Sequence, residues 1–378
     1  MLAAVAAGAG CQTSSLRPMQ GAIAVSAGGS HACAVMVDGS ARCWGDNVLG
    51  ELGSSAAGQK AISTPVVVDL SNVVQISAGG DHTCAVQVGG TTWCWGENEF
   101  GQLGSPVTTG ARMLPIQVTG VTGVSAVAAT GMSLQERDGA QEYSCALASG
   151  GAVFCWGENI NGEIGNGMID QFVAAPSEVR GVTGATALAL GGSRVYAVLG
   201  DGTVTSWGSD ALTNSPTPVP VPGLTSVVSI AAGQDFACAV RTDGTVACWG
   251  LESSGELGDG NISGEAAAPE PVAGLTGVIS ISAGTHHACA VLTDETVRCW
   301  GDDILGQLGD NEAGPQQVVP VPVRNLSGVV MISAGPDFTC ALLEDSEVDC
   351  WGADDAGQLG DGQVDTNGVG VALPVSQP

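Results

Sequence analysis

The chain has little positive charge. Ten Lys and Arg residues stand against 38 Asp and Glu in 378 residues, and Lys60 is the single lysine. A formal charge of −28 repels a phosphate backbone, and no Arg cluster offsets it locally, which argues against nucleic acid as a partner. The acidity itself reads as a solubility device. Aromatic residues make up only 4% of the chain, so the core must be built from Val, Ala, Ile and Leu around a few large anchors. No run reaches the ~18 consecutive apolar residues of a membrane span. Motifs that carry chemistry are missing as well. There is no Gly-x-Ser-x-Gly elbow and no His-Glu-x-x-His, and Gln59 before Lys60 excludes a Walker-type phosphate loop. Gly258-Asp259-Gly260-Asn261 lacks the ligand spacing of a calcium loop and reads as a turn. No catalytic, metal-ligating or cofactor-binding residues are therefore expected.

Glycine is abundant instead. Its 58 residues are roughly twice the usual ~7% and follow no collagen-like period, which implies many tight turns between short strands. The first ten residues are small and apolar and end at Cys11. Gly8-Ala9-Gly10-Cys11 resembles a bacterial lipoprotein cleavage box followed by a polar tether, Gln12 to Ser15. It departs from that pattern in having Gly three before the cysteine and no preceding Lys or Arg. Residues 1–20 are read as a shortened export or lipoprotein signal with its tether, with lipid on Cys11 the only route to a membrane. Residues 21–378 are read as one repeat domain.

Seven Trp-Gly pairs begin at Trp44, Trp95, Trp156, Trp207, Trp249, Trp300 and Trp351, most of them 51 residues apart. Sixteen residues before each lies a Gly, except in the third repeat. Within one unit, Pro65 to Val68, Val73 to Ala78, His82 to Val88 and Thr91 to Gly96 read as four short strands bounded by turn residues. Four strands per unit of about 50 residues fit a propeller blade. Units two to seven open on a Pro-containing strand, whereas the first has none and Leu373-Pro374-Val375 is left over at the end. That mismatch predicts an all-β, seven-bladed β-propeller of four-stranded antiparallel blades, closed by a C-terminal strand that completes the first blade.

Trp95-Gly96-Glu97-Asn98-Glu99-Phe100-Gly101-Gln102-Leu103-Gly104 resembles the signature of regulator-of-chromosome-condensation repeats, and variants follow Trp44, Trp156, Trp249, Trp300 and Trp351. The unit after Trp207 lacks the Gly-Gln-Leu-Gly portion. The resemblance runs from about residue 21 onward and implies a seven-bladed propeller without fixing a function. Its best-known eukaryotic members are exchange factors for a small nuclear GTPase that dock on chromatin; the missing basic arm argues against that role here. Other relatives look like secreted binding or inhibitory propellers.

Twelve of the thirteen cysteines form pairs at one spacing: Cys33/Cys43, Cys84/Cys94, Cys145/Cys155, Cys238/Cys248, Cys289/Cys299 and Cys340/Cys350. A three-residue turn such as Val37-Asp38-Gly39 places the members of a pair opposite each other across a hairpin, within disulfide reach. The fourth repeat has Tyr196 and Ser206 at these positions, so both cysteines are absent together. Six hairpin disulfides are expected, and with them a location outside the cytosol. His31, His82 and His287 share a position filled elsewhere by Tyr143, Arg194, Phe236 and Phe338, which indicates packing rather than metal binding.

The period breaks twice. The third repeat gains nine residues, including Gln135-Glu136-Arg137-Asp138, and the fourth loses nine after Trp207. Both changes map to one face of neighbouring blades, where a protruding loop beside a depression would form a docking feature. The sequence thus predicts an exported or surface-anchored, monomeric, non-catalytic module that binds another protein. The alternatives are a GTPase exchange factor and a propeller enzyme such as a lyase.

Overall fold

The computed structural model describes residues 17–105, 110–130, 141–210, 214–262 and 264–377. Its 28 strands form seven four-stranded antiparallel sheets arranged in a ring. The seven innermost strands are β1 (Ala22–Ala27), β5 (Val73–Ala78), β9 (Val124–Ala129), β13 (Ala185–Leu190), β17 (Val227–Ala232), β21 (Val278–Ala283) and β25 (Val329–Ala334). Each packs on the next, and β25 packs on β1.

The first blade shows why these residues fold as they do. From β1 the chain returns through β2 (His31–Met36) and turns at Asp38-Gly39 into β3 (Ala41–Gly45). Gly39 has φ 78°, a backbone region that glycine enters at no steric cost. The Asp38 carboxylate accepts the Ser40 N–H at 2.9 Å, locking the turn. β2 is buried along its whole length because a neighbouring blade covers each of its faces. The outermost strand, β4 (Ile62–Val67), is largely half-exposed and carries Pro65.

This strand order corrects the sequence reading in one respect. The Pro-containing strand ends a sheet rather than opening one. Leu373 and Pro374 pair with Cys350 and Asp349 of β27 (Val348–Asp354), so β28 (Asp365–Pro374) completes the seventh blade, and the first blade has β4 of its own. Proline cannot donate to a ladder and so belongs on an edge strand, here the solvent edge of each blade. The C-terminal segment still reaches the place where the ring closes. Pro18 bridges Ser376, and the Met19 N–H donates to the Val375 carbonyl at 2.7 Å.

Candidate functional site

The signature residues build the ring. Six of the seven Trp-Gly tryptophan rings are fully buried, and each of these six donates its Nε1–H to a backbone carbonyl of the preceding blade. Trp95 reaches Glu51 at 2.6 Å, Trp156 reaches Gln102 at 2.8 Å, and Trp44 reaches Gln358 at 2.9 Å across the closure. The last Gly of the motif lies flat on the same ring: a Cβ on Gly53 would sit 2.6 Å from Trp95 Nε1. The motif Asn caps its own loop, as Asn98 Oδ1 accepts the Leu103 N–H at 3.1 Å. Asp303 and Asp354 replace that Asn in later blades and accept from Leu308 and Leu359 at 3.0 and 3.1 Å. Burial raises both carboxyls to about 7. Glu51, in the Gln position of the motif, is pushed up to about 8 by burial and then by Asp46 and Asp81.

A central cavity lies where the inner strands end. Its volume is about 120 Å³, and it is lined mostly by backbone and small side chains such as Ala27, Gly28, Ala78 and Gly79, with Thr130, Gln234 and Thr285 among the few larger groups. Gly28 and Gly284 approach the neighbouring blade so closely that a Cβ would meet a carbonyl oxygen at 2.4 and 2.2 Å.

The six cysteine pairs face each other in the ladder, with Cα atoms 4.0–4.1 Å apart and sulfurs at 2.03–2.09 Å. That arrangement fits disulfide bonds. In the fourth blade Tyr196 and Ser206 occupy the paired positions. Arg194 Nη2 donates to Ser206 Oγ at 2.8 Å, and its Nε lies 3.2 Å from Asp210. A buried polar contact therefore stands where the other six blades hold sulfur.

His31, His82 and His287 are fully buried, and each reaches a hydroxyl of the next blade: Thr83 at 2.8 Å, Ser144 at 2.8 Å and Thr339 at 2.9 Å. Burial lowers them to about 3, 4 and 3, so all three are neutral at ordinary pH. They are inter-blade struts, in keeping with the bulk that the sequence position asks for.

The described ends of the two irregular connections emerge on one face, shared by the connections from first to second strand and from third to fourth strand. In blade three, β9 leads through residues 130–142 into β10 (Tyr143–Ala148). In blade four only residues 210–213 join β15 (Val204–Ser209) to β16 (Asn214–Pro220), against residues 97–111 in blade two. Gln135, Glu136, Arg137 and Asp138 lie outside the described residues, as does Cys11.

At the base of the longer connection is a group that the sequence reading missed. Asp81, Glu97 and Glu142 bring carboxylate oxygens within 4.8 Å of one another. His82 Nδ1 lies 2.7 Å from Glu142 Oε2. Burial, and then the nearby Glu97, drives the Glu142 carboxyl far above its ordinary range. Hard oxygen donors in this number could hold a divalent cation. The available signal was positional: Asp81 and Glu142 each immediately precede a second strand, and Glu97 follows a Trp-Gly pair.

Comparison with known proteins agrees with this architecture. The Regulator of chromosome condensation (RCC1) repeat matches residues 38–86, 89–132, 243–291 and 294–342. A second description of the same repeat matches 22–51, 73–102, 227–256, 278–307 and 329–358. The gap between these matches holds the irregular fourth blade. The ultraviolet-B receptor UVR8 of Arabidopsis thaliana is 28% identical over 370 residues, covering 93% of this chain and 81% of that protein. The E3 ubiquitin-protein ligase HERC2 of Homo sapiens is 30% identical over 192 residues, 49% of this chain but only 4% of that protein. Among solved structures, Prp20p of Saccharomyces cerevisiae, described with its binding to Gsp1p and histones, superposes with a TM-score of 0.77 at 21% identity, covering 91% of this chain and 87% of that one. At that identity it speaks for the fold alone. With repeat matches over half its length and seven blades in a ring, the chain belongs to the Regulator of chromosome condensation (RCC1) repeat family.

Proposed function

We propose that this propeller is an exported, non-catalytic module that binds another protein through the face carrying the two irregular connections. The observation that carries this reading is the departure from an otherwise regular ring. Neighbouring blades gain and lose loop length on the same face, beside the Asp81–Glu97–Glu142 carboxylates, and loops on a rigid scaffold are where recognition concentrates. The six cysteine pairs support an oxidising compartment, and lipid on Cys11 would tether the ring there. That Prp20p, a propeller of the same fold, is described with its binding to Gsp1p and histones is in keeping with a protein partner. The test is affinity capture from the native envelope fraction with the intact chain and with a chain trimmed from Gln135 to Gln141. Trimming should leave folding intact and abolish capture of the partner that the intact chain retains. Undiminished capture by the trimmed chain would contradict the assignment of this face.

A further inference from the structure

Besides a backbone bond from the start of each inner strand to a turn carbonyl of the preceding blade, which recurs at every seam, adjacent blades are tied by three recurring side-chain contacts, unevenly distributed around the ring. The first is the Nε1 bond of a Trp-Gly tryptophan to a carbonyl of the preceding blade, present for six of the seven Trp-Gly pairs. The second is an inner-strand serine that accepts an N–H of the next inner strand. Ser26 accepts from Ala78, Ser77 from Ala129, Ser282 from Ala334 and Ser333 from Ala27, all at 2.9–3.0 Å. The third is the histidine strut to a hydroxyl of the next blade, made by His31, His82 and His287.

Among the described residues, the seam between blades four and five has none of the three. The connection after β15 is too short to carry the motif, so no motif carbonyl is supplied to Trp249, whose ring is 6% exposed where the other six are 0%. Ala189 stands where Ser26 stands in blade one, and Arg194 and Ala237 replace the histidine and its hydroxyl partner. What remains is apolar packing around Val198, Val227, Ile230 and Phe236, the backbone bonds from the Val227 N–H to the Gly202 carbonyl and from the Gly192 N–H to the Gly233 and Gln234 carbonyls, and one side-chain substitute. The Tyr196 ring meets the Trp249 ring edge-on, 5.6 Å between centroids at 77°, and the two side chains share a hydrogen bond. Tyr196 sits at the position where the other blades carry the first cysteine of their pair, so the residue that bridges this seam is also the one that costs blade four its sulfur pair.

The seam where the chain ends meet is better tied. It has the Trp44 bond to Gln358, the Ala27 bond to Ser333 and the Met19 bond to Val375. We infer that the ring opens at the internal seam between blades four and five, held shut by Tyr196 against Trp249, and not where its two ends join.

Native-state hydrogen exchange read by mass spectrometry on the intact chain tests this directly. Amides of β14 (Arg194–Leu199) and β17 should exchange at least about tenfold faster than those of β1 and β26 (Phe338–Leu343), since exchange reports the opening free energy of each segment. Tyr196→Ala should speed exchange further at β14 and β17 while leaving β1 and β26 unchanged. Tyr196→Phe, which keeps the ring and loses the hydroxyl, should fall between. Should Tyr196→Ala fail to fold, the unmodified chain still decides the matter. Exchange that is uniform around the ring, or fastest at β1 and β26, would overturn the inference.

Discussion

Blades two and four come from the same repeat and solve the same packing problem with different chemistry. Blade two has a paired Cys84 and Cys94, a buried His82 strut, and a motif loop whose Gln102 carbonyl receives Trp156. Blade four has Arg194 bonded to Ser206, and Tyr196 turned against Trp249. The difference shows that the strands carry the fold and that the conspicuous motif residues lock blades together. A blade can lose its sulfur pair, histidine and motif loop and still form four strands, provided that other side chains fill the same volume.

The comparison sharpens into predictions of graded size. The largest effect is expected for a motif tryptophan. Trp95→Ala removes a fully buried ring and its bond to Glu51 and should destabilise the ring by about 3–5 kcal/mol in denaturant unfolding. A loss below about 1 kcal/mol would mean that Trp95 is not an anchor of the packing between blades.

Next is sulfur. Each pair closes a hairpin loop of about eleven residues, so replacing both Cys289 and Cys299 with Ser should cost about 2–3 kcal/mol. Supplying cysteines at Tyr196 and Ser206 should return less than this, because the Tyr196 contact with Trp249 is lost at the same time.

The pH dependence has two limbs. Glu51, Asp303 and Asp354 have carboxyls raised to about 8, 7 and 7 in the fold. The folded chain therefore holds more protons than the unfolded one, and stability falls as pH rises from the ordinary carboxylate range toward 8. The three buried histidines are lowered to about 3 or 4, so their contribution is complete above about 6.5 and is lost as pH falls toward 3. The melting temperature should therefore be highest at mildly acidic pH, near 5–6.5, and Glu51→Gln should flatten the alkaline limb. A melting temperature that rises steadily from pH 6 to 8.5 would contradict this.

The smallest effect concerns turns. Ser346 holds φ 69° where blade one has Gly39, so Ser346→Gly should stabilise by up to about 1 kcal/mol by relieving a left-handed residue.

The ring was legible in the sequence because its anchors are large and periodic: a Trp-Gly pair that mostly recurs every 51 residues is hard to hide in a chain with so few aromatics. The cysteine pairing was legible because a turn such as Asp38-Gly39 fixes register over five residues on either side. The starting point of each sheet was not. A periodic chain looks the same wherever it is cut, so the proline strand could be placed before or after its blade until the pairing of Leu373 with Cys350 settled it. The carboxylates of Asp81, Glu97 and Glu142 were hidden for another reason: they come from connections in two blades, and only the packing of blade three on blade two brings them within 4.8 Å of one another. Tyr196 carried a visible signal, the joint loss of two cysteines, but its contact with Trp249 lies 53 residues away and needs the fold to be seen.

Non-reducing peptide mapping of the protein isolated from its native compartment tests the account most directly. It should find Cys33–Cys43, Cys84–Cys94, Cys145–Cys155, Cys238–Cys248, Cys289–Cys299 and Cys340–Cys350 each linked within its own hairpin, and no cysteine-containing peptide from the fourth blade. Free thiols at these twelve positions, or links between blades, would contradict both the six stapled hairpins and the exported location built on them.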